Sequence, residues 1–135
     1  MTDGYSGTPL ARKLGFKPED RILCHAMPSS VERELVDEVP GLALLHAAEQ
    51  PIDGAHIFTS SRTELASLLQ SLRADIRVDG MIWISWPKKA ARIPTDVTED
   101  VVRELALPLG LVDVKVCAVD EIWSGLKLVI RKELR

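Results

Sequence analysis

A chain of 135 residues with a net charge of −3 and a pI near 5.6 fits one domain, and it lacks the domain-wide basic excess expected of nucleic-acid binding. Apolar residues make up 46% and charged residues 27%, too apolar a mix for disorder, and no apolar stretch nears the roughly 20 residues needed to span a bilayer. Two cysteines, Cys24 and Cys117, each sit in an apolar run, and the chain lacks the spaced Cys/His pairs that supply the four ligands of a structural zinc site. Together with an N-terminus lacking a secretory pattern, they predict a reduced, cytoplasmic protein without structural zinc.

Residues 1–7 are small and polar and are expected to lie loose over the surface. Thr8-Pro9-Leu10 to Gly15 predicts a short helix, with Thr8 at the N-cap, Pro9 in the first turn and Gly15 past the end. After the Lys17-Pro18-Glu19-Asp20 turn, Arg21 to Met27 reads as a buried first strand that Pro28 ends. Ser29 and Glu32 form a capping-box pattern for a helix that stops before Pro40-Gly41. Leu42 to Ala48 and Ala55 to Thr59 are the next two strand candidates, the first ambiguous with a turn of buried helix.

The clearest element follows. Ser61 and Glu64 make a second capping-box pattern, and Leu65, Leu68, Leu69, Leu72 and Ile76 trace the stripe of an amphipathic helix. Asp79-Gly80 predicts a turn into the strand Met81 to Trp86, and the basic loop Lys88 to Arg92 leads to a helix opened by Thr95-Asp96. Two longer strands, Val112 to Val119 and Leu126 to Lys132, close the chain as an antiparallel hairpin.

This order predicts a three-layer α/β fold, a mostly parallel sheet covered on both faces and ending in an antiparallel β-hairpin, within one domain spanning 1–135. The stretches LGFKPEDRIL, IDGAHIFTSSRTELASLLQSLRADIRVDGMIWISW and GLVDVKVCAVDEIWSGLKLVIRK resemble a shortened S-adenosylmethionine-dependent methyltransferase domain of Rossmann-like fold. The stretches GYSGTPLARKLG, DGMIWISWPKK and DVVRELALPLGLVDVKVCAVDEIWSGLKLVIRKE also resemble a bacterial family of uncharacterised small proteins, a resemblance that implies no activity. The methyltransferase resemblance implies a glycine-rich cofactor turn after the first strand. Here that turn reads Cys24-His25-Ala26-Met27-Pro28-Ser29-Ser30, without glycine, and only Glu49 stands near the place of a ribose-binding carboxylate. Fewer elements fit between the first strand and AHIFT than the family carries. No cofactor is therefore expected.

Ligands of open α/β sheets bind beyond the carboxyl ends of the parallel strands. That rule selects Ser29, Ser30, Ser61, Arg62, Trp86, Lys88 and Lys89 as ligand-binding candidates, the serines offering helix N-termini to an anion and the cations adding charge. The plainer reading is that the serines cap helices and the lysines form a solvated loop. Trp83 is expected in the core, whereas Trp86 and Trp123 are open between core and rim. His25, His46 and His56 receive no catalytic assignment, and Cys24 and His25, being adjacent on a strand, should face opposite ways.

No catalytic or metal-binding residue is expected, nor a nucleic-acid or membrane partner. The sequence thus predicts a non-catalytic module that binds a small anionic ligand or a protein partner. Two alternatives stand beside it: a small enzyme with an altered nucleotide or S-adenosylmethionine-type pocket, and a homo-oligomer that pairs through the LKLVIRK strand as a sheet edge.

Overall fold

The computed structural model describes residues 7–135, so most of the segment expected to lie loose falls outside the described residues. The chain forms α1 (Leu10–Leu14), β1 (Arg21–His25), α2 (Ser29–Glu38), β2 (Ala43–Leu45), β3 (Gly54–Phe58), α3 (Arg62–Asp75), β4 (Met81–Pro87), α4 (Glu99–Ala106), β5 (Leu111–Ala118) and β6 (Trp123–Ile130). One six-stranded sheet runs in the order β2-β1-β3-β4-β6-β5. The first four strands are mutually parallel, and β6 inserts antiparallel between β4 and β5.

Strand alternation divides the core in two. Ala55, Ile57, Ile82, Ile84 and Trp86 pack with α3 and α4 on one face. Ile22, Cys24, Phe58 and Trp83 pack with α1 and α2 on the other. The central strand β3 is buried at every position, as a strand covered on both faces must be. On the α1 side Trp83 donates its indole N–H to Leu14 O at 2.8 Å, which ties the short first helix to the sheet.

Several local expectations change. Pro9, not Thr8, is the N-cap of α1 and has no side-chain acceptor to offer. The carboxylate of Glu38, at the end of α2, does that work instead, accepting from Leu10 N at 3.2 Å and Ala11 N at 2.7 Å. Ser29 lies inside α2, whose N-cap is Pro28 without a side-chain cap, so the Ser29–Glu32 capping box does not form. The fourth helix opens later than expected, with Thr98 as N-cap accepting from Val101 N, while Thr95 Oγ1 donates to Ser60 O. Gly15 does end α1 in the left-handed region, at φ 78°. Gly80 is required in its turn, because a Cβ there would come within 2.7 Å of Asp53 O.

The LKLVIRK strand is not an edge. Leu126, Leu128 and Ile130 are fully or almost fully buried in β6, and β5 forms the border of the sheet. The chain reaches the border first with β5 and returns through the hairpin, so that β6 pairs with β4 along its full length, and Arg103 of α4 contacts the outer strand through Asp113 at 2.9 Å.

One departure shapes the site. A crossover between parallel strands commonly takes a dozen or more residues and a helix. Here β2 returns to β3 across β1 through residues 46–53 alone. Arg21 holds that segment down, donating from Nε to Pro51 O at 2.7 Å and from Nη2 to Glu49 O at 2.8 Å. Without a helix in the crossover, part of the face of β1 beside α3 stays uncovered.

Candidate functional site

The uncovered strip is a cleft of about 240 Å³ between α3 and residues 46–48. Leu23, from β1, and Ile57, from β3, line it together with Leu68 and Leu72 of α3 and with Ala47 and Ala48. Polar groups gather at its borders: His25 at the carboxyl end of β1, His46 just past β2, and Ser71 and Asp75 on α3. Its volume is below the roughly 300–1,000 Å³ of most ligand pockets, while its apolar walls with a few polar groups match their usual make-up.

His25 belongs to a fixed chain of polar contacts. Its Nε2 stands 3.3 Å from Glu64 Oε2. The other carboxylate oxygen, Oε1, accepts the Thr59 hydroxyl at 2.5 Å, and Thr59 Oγ1 in turn accepts Ser61 N at 3.1 Å. Ser61 caps α3 by accepting Glu64 N, so the capping box expected there does form. The Thr59 hydrogen bond foremost, and the His25 imidazole after it, hold the Glu64 carboxyl below the usual carboxylate range. Glu64 is therefore an ionised acceptor near neutral pH.

The seven residues selected from the sequence fall into three separate groups. Trp86, Lys88 and Lys89 meet in a slot of about 480 Å³ with Pro87, Ile93, Pro94, Thr95, Val97 and Thr98. Trp86 is 8% exposed, so it forms the floor of that slot and not a free rim. Ser29 and Ser30 stand exposed at the start of α2. Ser61 and Arg62 are engaged within the chain: Arg62 N donates to Asp96 Oδ1 at 2.6 Å, and its guanidinium pairs with Glu104 at 2.5 Å. Asp96 thus already supplies a carboxylate to the N-terminus of α3. Trp123 is half-buried, edge-on to Phe58 with centroids 5.1 Å apart.

Cys24 and His25 do face opposite ways. Cys24 packs on the α2 side, where burial, followed by the charge of Glu32, pushes its thiol up to about 12. His56 is fully buried on that same side, against Phe58 and with Nε2 2.8 Å from Ser85 Oγ, and burial lowers its pKa to about 3. Such a group is a neutral core residue. Sequence reasoning missed the cleft histidines, His25 and His46, because a strand-end position and a short crossover had to be combined to find them. Among the described residues, no cluster of three or more His, Cys, Asp or Glu side chains is arranged to hold a metal ion.

No protein-family model matches the chain, and a search of the curated proteins finds no match. Solved structures do match. A type 11 methyltransferase from Sulfolobus solfataricus superposes with a TM-score of 0.63 at 11% identity, over 90% of this chain and 88% of that one. An S-adenosylmethionine-dependent methyltransferase from Aquifex aeolicus gives 0.60 at 13%, over 90% and 88%. The chain has a methyltransferase-like Rossmann fold. Aeropyrum pernix fibrillarin, with S-adenosylmethionine natively bound, matches at 0.52 and 17% identity, over 93% of this chain and 70% of that one.

That last likeness corrects the expectation of no cofactor drawn from the missing glycines: Aeropyrum pernix fibrillarin, which shares this fold, holds S-adenosylmethionine. The cleft beside β1 offers apolar walls and polar borders to a planar nucleoside. The β1–α2 turn does not provide a glycine cradle for the amino-acid half. Ala26 adopts the left-handed φ of 52° that glycine would take freely, but it adds a Cβ, and Pro28 has no N–H to donate.

Proposed function

We propose that this methyltransferase-like module binds the nucleoside portion of an S-adenosylmethionine-type ligand in the cleft between β1, residues 46–48 and α3, and that it does so without transferring a methyl group. The observation that carries the reading is the cleft itself, opened by the short β2–β3 crossover along the α3 face of β1 and bordered by His25 at the carboxyl end of that strand, the end at which this architecture receives its ligands. Leu23, Ile57 and Leu68 would sandwich the base, while Ser71, Asp75 and His46 offer hydrogen bonds at its borders. The non-catalytic part is supported by the β1–α2 turn, whose alanine and proline replace the backbone approach that would fix the methyl-bearing half.

Calorimetric titration tests this. Adenosine and S-adenosylmethionine should bind with affinities within a few fold of each other, since only their common half is held. Leu68→Trp, which fills the cleft from a half-buried position, should abolish both. Methyl transfer to any acceptor, or S-adenosylmethionine binding that persists in Leu68→Trp, would refute the proposal.

A second reading is favoured by the Trp86 slot, where Lys88 and Lys89 border an apolar floor suited to a small anionic ligand. Its mark would be ligand binding lost in a Lys88→Ala, Lys89→Ala double variant and retained in Leu68→Trp. For the setting we propose a reduced, cytoplasmic one. Both thiols are unpaired, and no helix among the described residues is long and apolar enough to cross a membrane.

A further inference from the structure

We infer that the outer edge of β5 is a docking site for an extended, acidic segment of a partner protein, which adds to the sheet as a further strand. The site is independent of the cleft and lies at the other end of the sheet. The two borders are unlike. β2 closes one side with three residues, Ala43–Leu45, short enough to leave little edge for another strand. β5 closes the other with eight, Leu111–Ala118, and without a proline. Among the described residues only β6 pairs with it, so the main-chain groups of its outer edge have no strand to bond. A bulge leaves Val114 without a partner on β6, and from Lys115 to Ala118 the register is regular again. Val114 and Val116 are 54% and 53% exposed, so two side chains suited to a sheet stand in solvent at this border.

Charge decides what the edge accepts. Lys115 lies directly opposite Lys127 of β6, an arrangement that costs stability unless a carboxylate offsets it. Among the described residues neither lysine forms an ion pair, and Lys115 Nζ donates to the backbone carbonyl of Lys13 at 2.9 Å. Lys13 brings a third ammonium group to the same border, donating to Ala118 O at 2.9 Å. Burial foremost, and the Lys115 charge after it, lower the Lys127 pKa, as a lysine rung without a carboxylate requires. The carboxylate that β5 does carry, Asp113, is committed to Arg103. A lysine in the middle of an edge deters a basic strand and selects an acidic one. An added strand with a carboxylate beside Lys115 relieves the like-charge rung, pairs its main chain with the open groups of β5, and covers Val116 with an apolar neighbour.

Fluorescence anisotropy with the full chain tests this. The probes are a labelled peptide of alternating glutamate and valine, as long as β5, and its lysine–valine counterpart. The acidic peptide should bind at least about tenfold more tightly than the basic one, and its affinity should fall with added salt. It should also protect amides within residues 111–118 from hydrogen exchange. N-methylation of alternate peptide nitrogens removes main-chain bonds and leaves the charge, so one of the two alternations should abolish binding. Lys115→Met should remove most of the preference. Lys115→Glu should reverse it toward the basic peptide, an outcome that misfolding of the variant does not produce.

Equal binding of the two peptides, an affinity indifferent to N-methylation, or exchange protection that falls outside β5 would overturn the inference. A sedimentation mass of a dimer that dissociates in Lys115→Glu would also overturn it, since the occupant of the edge would then be a second copy of this chain.

Discussion

Two histidines on neighbouring strands mark the difference between the part of the molecule that holds it together and the part where we propose a ligand sits. His56 lies in the middle of β3, on the α1 side, inside an aromatic pocket of Phe16, Phe58 and Trp83. His25 ends β1 on the opposite face, half-exposed and fixed by Glu64 at the border of a cleft. The ladder pairs Cys24 with His56 and His25 with Ile57, so a shift of one residue along the strand changes both face and depth. Position in the sheet, not residue type, decides whether an imidazole is core or site.

The difference can be broken from the buried side first. Trp83→Ala should cost about 3–5 kcal/mol, from the cavity left by a fully buried indole and the loss of its bond to Leu14 O, and urea denaturation measures it. Next comes acid. Burial holds the His56 pKa near 3 against an ordinary 6.5, so the unfolded chain takes up the proton first. Stability is then full above about pH 6.5 and falls as the pH drops toward 3, by up to about 1.4 kcal/mol per pH unit. Denaturation midpoints at pH 7 and pH 5 should differ in the native chain, and the difference should shrink in His56→Phe.

Smaller effects sharpen the same contrast. Glu38→Ala removes the acceptor for two N–H groups of α1 and should cost about 1–2 kcal/mol, read as a lower melting temperature with nucleoside affinity unchanged. Ala26→Gly relieves a left-handed alanine at the β1–α2 turn and should stabilise the chain by up to about 1 kcal/mol. Its effect on binding separates the two halves of the ligand: S-adenosylmethionine should gain affinity relative to adenosine if the alanine Cβ is what closes the cradle.

The architecture was legible because its signals are local. Ser61 with Glu64 and the leucine stripe of α3, Gly15 after α1, and the alternation of Leu126, Leu128 and Ile130 each act over a few residues and survive into the fold. What could not be read depends on distant partners. Glu38 caps a helix 27 and 28 residues away, and Asp96 reaches the N-terminus of α3 from 34 residues away. The inner place of β6 follows from pairing order, which alternation along one strand does not encode. The cleft was hidden for a further reason: it is made by what the β2–β3 crossover lacks.

The most direct measurement is an amide and methyl chemical-shift map of the chain titrated with S-adenosylmethionine. Seating in the cleft predicts the largest shifts at Leu23, His25, Ala47, Leu68 and Ser71, with Trp86, Lys88 and Lys89 nearly still. Shifts centred on Trp86 and the two lysines, with the cleft unchanged, would contradict it and move the ligand to the other slot.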